Sequence, residues 1–413
     1  MFSTKMTFDK SYYLPAYSVT GLVALEKGSK TYTGKNFRFY EESRSNIFDY
    51  PGFLVSAGHR YKDMDLKEKL NLNFDKNILL GDSGGYQIAT GVIDFSNREQ
   101  FVQDVFKWLE KNSNFALNID IPLYINVEGS SEASSMSRED KIKISKEHFD
   151  YFQKNQSGST KYLNVLHGRS LQDLDFWYDF VKDYKFEGGW AIGSVTIDIF
   201  YILQSFFFLF HNGEVDKIKN KNNIIHLLGM SKSEYIIYVE YLQKKLNDAG
   251  YNISITYDSS TPDITAGMGS YVLDVNYNSI QYLHFSKTFT DLNLDSLLPC
   301  QCPVCKGITY RHFYGEENRN DRDGFKTLTY NHMSFHNLYK MLEYIYHIKN
   351  IINSNSNNIY TQIFNERVLY ILSIIDYCFE HKDYQSFLLK QKYNIMSTRK
   401  AKYDLDFNRK KLF

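Results

Sequence analysis

Three of the four cysteines lie within six residues, as Cys300-x-Cys302-x-x-Cys305. Thiols at that spacing can face one metal ion, and in a reducing compartment the clustering argues for metal over disulfides. A fourth ligand must come from a later segment, where His312, His332 and His336 are the candidates. His336 opens a helix-like run (HNLYKMLEYI), a suitable place for a last ligand. Three thiolates and one imidazole fill a tetrahedron, so such a site is structural and leaves no position for water. Cys378 lies in an apolar run (YILSIIDYCFE) and reads as core.

The second set of candidates is carboxylates. Asp82 opens the motif Asp82-Ser83-Gly84-Gly85-Tyr86-Gln87, while Asp120 and Asp258 stand at the ends of short apolar runs. A single Asp in such a place is commonly a helix N-cap, and DSGGYQ can equally be a tight turn leading into a capped helix. Their coincidence is what suggests chemistry. Two carboxylates flanking a sugar carbon suit glycosidic-bond exchange: one attacks the anomeric carbon, and the other manages protons on the departing and arriving groups.

Those residues need elements to hold them. Apolar runs at 52–56, 77–81, 115–120, 162–167, 189–193, 223–228 and 253–257 alternate with amphipathic stretches at 98–111, 138–154, 170–182 and 232–249. Alternation of this kind predicts a parallel sheet with covering helices. Seven or eight such units close into a (β/α) TIM-type barrel, with an open doubly wound sheet as the competing architecture. Chemistry in a barrel sits where strands end. Reading off those ends gives Asp82, Asp120, His167-Gly168, Gly193-Ser194, Leu228-Gly229 and Asp258. Glycines among them let a flat ligand approach the backbone.

A barrel takes about 250 residues, so 413 residues leave room for a substantial extension. The expected division is a barrel over 1–295, a zinc-binding subdomain over 296–345, and a C-terminal helical extension over 346–413. Positive and negative residues balance at 48 each, so no global basic field draws in nucleic acid and any such contact must be local. The tail carries Arg399, Lys400, Lys402, Arg409, Lys410 and Lys411, either a solvated tail or a phosphate-contacting arm. The N-terminus has no apolar signal core, and the run IFYILQSFFFLF at 199–210 is too short to span a bilayer. A buried helix and a cytoplasmic protein without membrane contact are expected. The segments 215–223 and 353–358 read as surface loops.

DSGGYQ, Asp120, the HG turn at His167-Gly168, the AIGS turn ending in Gly193-Ser194, LLG, Asp258 and the CxCxxC…HN pattern occur in the same order as in the tRNA-guanine transglycosylase superfamily, which this chain resembles over about 77–342. The resemblance implies a zinc-containing barrel pentosyltransferase that exchanges guanine in a nucleic acid for a 7-deazaguanine. On it, Asp258 matches the nucleophile and Asp82 the general acid/base. Tyr86 would stack on the base, Gln87 and Asp120 would bond its edges, and Gly193 and Ser194 would offer backbone groups. Leu228 stands where the family closes the pocket with an apolar residue. Cys300, Cys302, Cys305 and His336 match the ligands of a structural Zn²⁺, with His332 as rival for the last.

The departures from the family concern the substrate. His167 stands where the tRNA enzymes carry a base-reading Gln, and Ser194 replaces a second glycine. No basic cluster follows Asp258, the Cys305–His336 spacing is lengthened at 316–323, and no appended RNA-binding domain is recognisable. These features are similar to the DNA-modifying (DpdA-like) branch, many of whose members are phage-encoded. That branch implies DNA and a 7-cyano-7-deazaguanine or relative as partners, with tRNA as the alternative and a homodimer possible. A phage protein would act in the host cytoplasm. A non-catalytic partner subunit would be expected to lose Asp258 or DSGG, and a metal-dependent hydrolase would need an open His/carboxylate site at the strand ends.

Overall fold

The computed structural model describes residues 3–43, 46–124, 132–193, 198–285, 293–314, 327–354 and 357–396. Its centre is an eight-stranded parallel sheet: β1 (Tyr12–Pro15), β2 (Gly52–Ser56), β3 (Ile78–Asp82), β4 (Phe115–Leu117), β5 (Lys161–His167), β6 (Gly189–Gly193), β7 (Ile224–Leu227) and β8 (Ser254–Ser259). The order runs β1-β8-β7-β6-β5-β4-β3-β2, and a parallel bridge from Ala16 to Leu54 brings the two ends together, so the barrel is nearly closed. The open doubly wound alternative is thereby excluded.

Strands buried on both faces are mostly apolar, which is why they read as short continuous runs. Leu79, Leu80, Val165, Ile192 and Ile255 are all essentially inaccessible. β1 is the strand that the apolar runs did not reveal. It is four residues long, ends in a proline, and pairs with β8 in the register Leu14↔Asp258.

The helices follow the amphipathic stretches. Arg98–Asn112, Arg138–Asn155, Leu171–Val181 and Ser233–Asp248 each begin and end within a residue or so of the expected bounds. Ser137 and Ser170 cap two of them by accepting the amide hydrogens of Asp140 and Asp173. Ile199–His211 is buried on nearly all sides, as its composition requires. It packs under the C-terminal helices Glu366–Glu380 and Tyr384–Met396, with Phe207 edge-on to Phe379 and His211 stacked on Tyr384. Cys378 lies inside this packing. Among the described residues no helix is long and apolar enough to cross a membrane. The segment expected as a loop at 215–223 contains a short helix, Glu214–Ile218, before the turn into β7.

After β8 the chain forms a short helix (Thr261–Gly267) and an antiparallel hairpin, β9 (Ser270–Val275) and β10 (Ile280–His284). The long helix Thr327–Asn353 then packs on both, and runs through the expected 345/346 boundary. The basic tail at 399–413, the insertion at 316–323 and Ser194 lie outside the described residues.

Candidate functional site

Parallel strands in one barrel deliver their C-terminal residues to one end, and the candidate residues meet there. Asp82 is the last residue of β3, His167 of β5 and Gly193 of β6, and Asp258 is next to last in β8. Asp120 lies three residues beyond β4, and Leu228 and Gly229 directly follow β7.

Contacts join them into a ring. His167 Nε2 is 2.5 Å from Asp120 Oδ2, and both side chains are buried. Gly193 leaves room for that imidazole, since a Cβ there would fall 2.6 Å from His167 Cε1. The same Cβ would lie 3.4 Å from Leu228, which sits at the next strand end. Gly229 N donates to Asp258 Oδ1 at 2.6 Å. His167 therefore also holds Asp120 in place. Gly168 packs against Leu174 in the following helix.

The glycines of DSGGYQ have specific causes. Gly84 has φ +82° and lies in backbone contact with Gly58, where a Cβ would come within 2.7 Å of the Gly58 Cα. A Cβ on Gly85 would sit 2.2 Å from the carbonyl oxygen of Asp120. The motif is thus fitted between the β2 and β4 ends. It carries Asp82 inward and leaves Tyr86 more than half exposed at the rim.

Asp82 is held by the Ser56 hydroxyl and the Gly84 backbone, and Ser56 is its register partner on β2. Burial pushes its carboxyl above the ordinary range; the charges of Asp258 and Asp120 push the same way, and the two hydrogen bonds only partly oppose this. Gln87 turns toward the β2 end: its Nε2 donates to Ser56 Oγ (3.3 Å) and lies 3.2 Å from His59 Nε2. Its Oε1 is buried with no partner among the described residues.

The Asp120 segment is anchored from behind by helix Arg138–Asn155. Ile121 N donates to Ser145 Oγ (2.9 Å), and His148 Nδ1 donates to Ile119 O (3.3 Å). Burial pushes His148 down to about 4, so it stays neutral there.

Residues that the sequence pattern did not single out also belong to this end. Ser56 bonds Asp82. Asn118, two residues before Asp120, is fully buried with both side-chain polar atoms unpartnered among the described residues. His226, inside β7, places Nε2 3.3 Å from Asp258 Oδ1. A polar residue within an apolar strand, two positions before Leu228 and so on the same face, was the available signal for His226.

The metal candidate lies after the barrel. Ligand atoms of Cys300, Cys302 and His336 lie within 4.8 Å of one another, the one such group among the described residues. His336 Nδ1 is 3.4 Å from Cys302 Sγ and 3.2 Å from Cys305 Sγ. Its Nε2 donates to Val272 O at 2.7 Å, which fixes the tautomer and turns the Nδ1 lone pair to the sulfurs. Tyr271 stacks on the ring at 3.7 Å and donates to Cys305 Sγ. The rivals are engaged elsewhere: His332 Nε2 accepts from Tyr32 N (2.7 Å), and His312 Nδ1 from Thr309 N (3.1 Å). His336 lies well inside helix Thr327–Asn353, where the sequence had suggested a helix start.

The class these features define is a TIM-like parallel barrel with a carboxylate-lined C-terminal end and a Cys/His group able to hold a metal ion. No family model matches the chain, and no curated protein matches it.

Proposed function

We propose that the chain is a base-exchange glycosyltransferase that replaces guanine in DNA with a 7-deazaguanine through a covalent aspartyl–sugar intermediate. The observation that carries the reading is the meeting of Asp82, Asp120 and Asp258 at one barrel end, with Asp258 Oδ1 held by Gly229 N and the Asp82 carboxyl pushed above its ordinary range by burial.

The two aspartates then have separate tasks. The target nucleotide leaves the stack, since its sugar carbon is otherwise out of reach. Tyr86 and Leu228 cover the faces of the base, Asp120 bonds its amidine edge, and Gln87 Oε1 is an acceptor awaiting an N–H. Gly193 and Ser194 would offer backbone groups to the base, with Gly168 and Gly229 at the neighbouring strand ends. Asp258 attacks the anomeric carbon as its bond to guanine N9 breaks, and protonated Asp82 supplies the N9 proton. The incoming 7-deazaguanine gives its N9 proton back to Asp82. Its nitrogen then displaces Asp258, and two inversions give retention.

Cys300, Cys302, Cys305 and His336 would hold a structural Zn²⁺. Tetrahedral zinc sets S···N separations near 3.5 Å, close to the 3.4 and 3.2 Å found here. A closed donor set of this kind ties the cysteine loop to helix Thr327–Asn353 without taking part in the reaction.

The test gives purified protein a labelled 7-deazaguanine with duplex DNA or with guanine-containing tRNA. Label in DNA alone is expected. Label in tRNA alone would keep the exchange chemistry and overturn the DNA assignment. Label in neither, across the common 7-substituents, would sink the reading.

A further inference from the structure

We infer that His226 is the positioning residue for Asp258: its Nε2 stands against Asp258 Oδ1 at 3.3 Å, while the Thr256 hydroxyl serves its Nδ1. What Asp258 does rests on the proposed reaction; the pairing does not.

His226 is completely buried in β7, in register with Thr256 of β8. An imidazole in a barrel interior is costly unless both nitrogens find partners. Nδ1 lies 2.9 Å from Thr256 Oγ1. Nε2 has no hydrogen-bond partner among the described residues, and Asp258 Oδ1 stands 3.3 Å away. Thr256 and Asp258 are two residues apart on one strand and so share a face, with His226 across from them.

The tautomer follows from electrostatics. If the proton sat on Nδ1, the bare Nε2 lone pair would face a carboxylate oxygen inside the protein, a repulsive contact in a low-dielectric setting. With the proton on Nε2 the same contact is attractive, an N–H beside a carboxylate oxygen, and Thr256 donates its hydroxyl hydrogen to Nδ1. Each hydrogen then faces an acceptor. Tyr13, the neighbouring phenol whose ionisation Asp258 opposes, does not compete, because its O–H goes to Ser259 O at 2.8 Å.

Oδ1 then has the Gly229 amide as its hydrogen-bond donor at 2.6 Å and the His226 Nε2 beside it at 3.3 Å. Gly229 presents its amide from a left-handed backbone with φ +69°. A backbone donor and an adjacent imidazole on one oxygen restrict the rotation of the carboxylate and leave Oδ2 for the sugar. A nucleophile fixed this way is worth a large factor, since about 1 Å of misplacement can cost roughly 10²-fold in rate.

The experiment has two arms on the full chain. The first is ¹⁵N NMR of the histidine rings in substrate-free protein, with His226 assigned by its disappearance in His226→Gln. A protonated Nε2, a bare Nδ1, and a ring signal that moves in Asp258→Asn are expected. A protonated Nδ1, or a ring indifferent to Asp258→Asn, overturns the proposal. The second arm compares exchange kinetics. His226→Gln keeps an N–H near the position of Nε2 and should retain most of kcat. His226→Leu should lose about 10²-fold in kcat with little change in KM. Where wild type exchanges base, equal rates for Gln and Leu would also overturn it. The expected NMR result in a protein that exchanges no base would uphold the pairing and remove only the proposed reaction. Thr256→Val, nearly isosteric, gives a second variant: loss of the Nδ1 donor should disturb the ring signal without unfolding the barrel.

Discussion

Replacing His336 with alanine should strip the metal and cost stability that His332→Ala does not. Three losses add up. The ring stacks on Tyr271 at 3.7 Å, and such an aromatic pair contributes about 0.5–1.5 kcal/mol. Its Nε2–H satisfies Val272 O at 2.7 Å, and leaving a buried carbonyl unpaired costs about 1–3 kcal/mol. Metal linkage comes on top: an ion that binds only the folded chain contributes about 2.7 kcal/mol at a hundredfold excess over its Kd. The expected difference is therefore roughly 4–7 kcal/mol with zinc present, a large share of the 5–15 kcal/mol typical of a folded protein.

The assay is metal content of purified protein together with urea unfolding, each with and without a chelator. Wild type should carry zinc and lose midpoint on chelation. His336→Ala should be metal-free, low in midpoint and indifferent to chelator. His332→Ala leaves Tyr32 N without its acceptor, so it should lose some stability yet keep both the metal and the chelator response. Stoichiometric zinc in His336→Ala, or its loss in His332→Ala, would refute the ligand assignment and with it the role of the Nε2–Val272 bond in setting the tautomer.

Further expectations concern the barrel end. Asp258→Asn should abolish exchange while circular dichroism and the urea midpoint stay near wild type; normal turnover in that variant would remove Asp258 as nucleophile. For Asp82 the folded pKa lies above its ordinary 3.8, so between those values the folded chain holds more protons than the unfolded one and stability falls as pH rises through the window. Asp82→Asn should therefore gain stability over wild type at neutral pH, with the gain fading below pH 3.8, and it should also lose exchange; an equal difference at both pH values would contradict the buried, charge-crowded setting. Gly85→Ala places a Cβ 2.2 Å from Asp120 O, so it should cost about 1–3 kcal/mol and reduce exchange by moving Asp120. A variant that unfolds and exchanges as wild type does would show that the two loops are not in contact.

The barrel was legible because strands buried on both faces are mostly apolar, and a barrel sends their polar last residues to one end. That logic located Asp82, His167, Gly193 and Asp258 without any knowledge of side-chain contacts. It missed Tyr12–Pro15 because four residues ending in proline carry too little apolar periodicity to stand out. It could not tell a rim residue from a supporting one, since both occupy strand ends. His167 turned out to hold Asp120, Gln87 turned out to lean on Ser56, and Ser56 itself went unnoticed as the end of an ordinary apolar run. The choice among His312, His332 and His336 was likewise open. It depends on which imidazole faces the thiols, and that is decided by Tyr32, Thr309 and Val272, two of which are far away in sequence.

The helix that carries His336 reaches the segment after Asp258 through Asn337, which follows His336 and is almost wholly buried. Its amide nitrogen donates to Ser270 O (2.8 Å) and Pro262 O (3.3 Å), and its oxygen accepts from Val272 N (2.9 Å). Ser334 on the same helix donates to Asp263 Oδ1 at 2.8 Å, and Asp263 Oδ2 accepts from Ser18 N at 2.9 Å. The helix carrying the metal-facing histidine therefore clamps the segment directly after Asp258. Asn337→Ala would orphan the buried Val272 amide and the Ser270 carbonyl, at about 1–3 kcal/mol each. Unfolding should shift by roughly 2–6 kcal/mol, with metal content unchanged because no ligand is lost. If the helix matters to the barrel end, amide hydrogen exchange in the Asp258–Ala266 segment should speed up in this variant, while that of the Asp120 segment, anchored separately by Ser145 and His148, should not. Equal acceleration in both segments would mean a general loss of stability and no specific clamp.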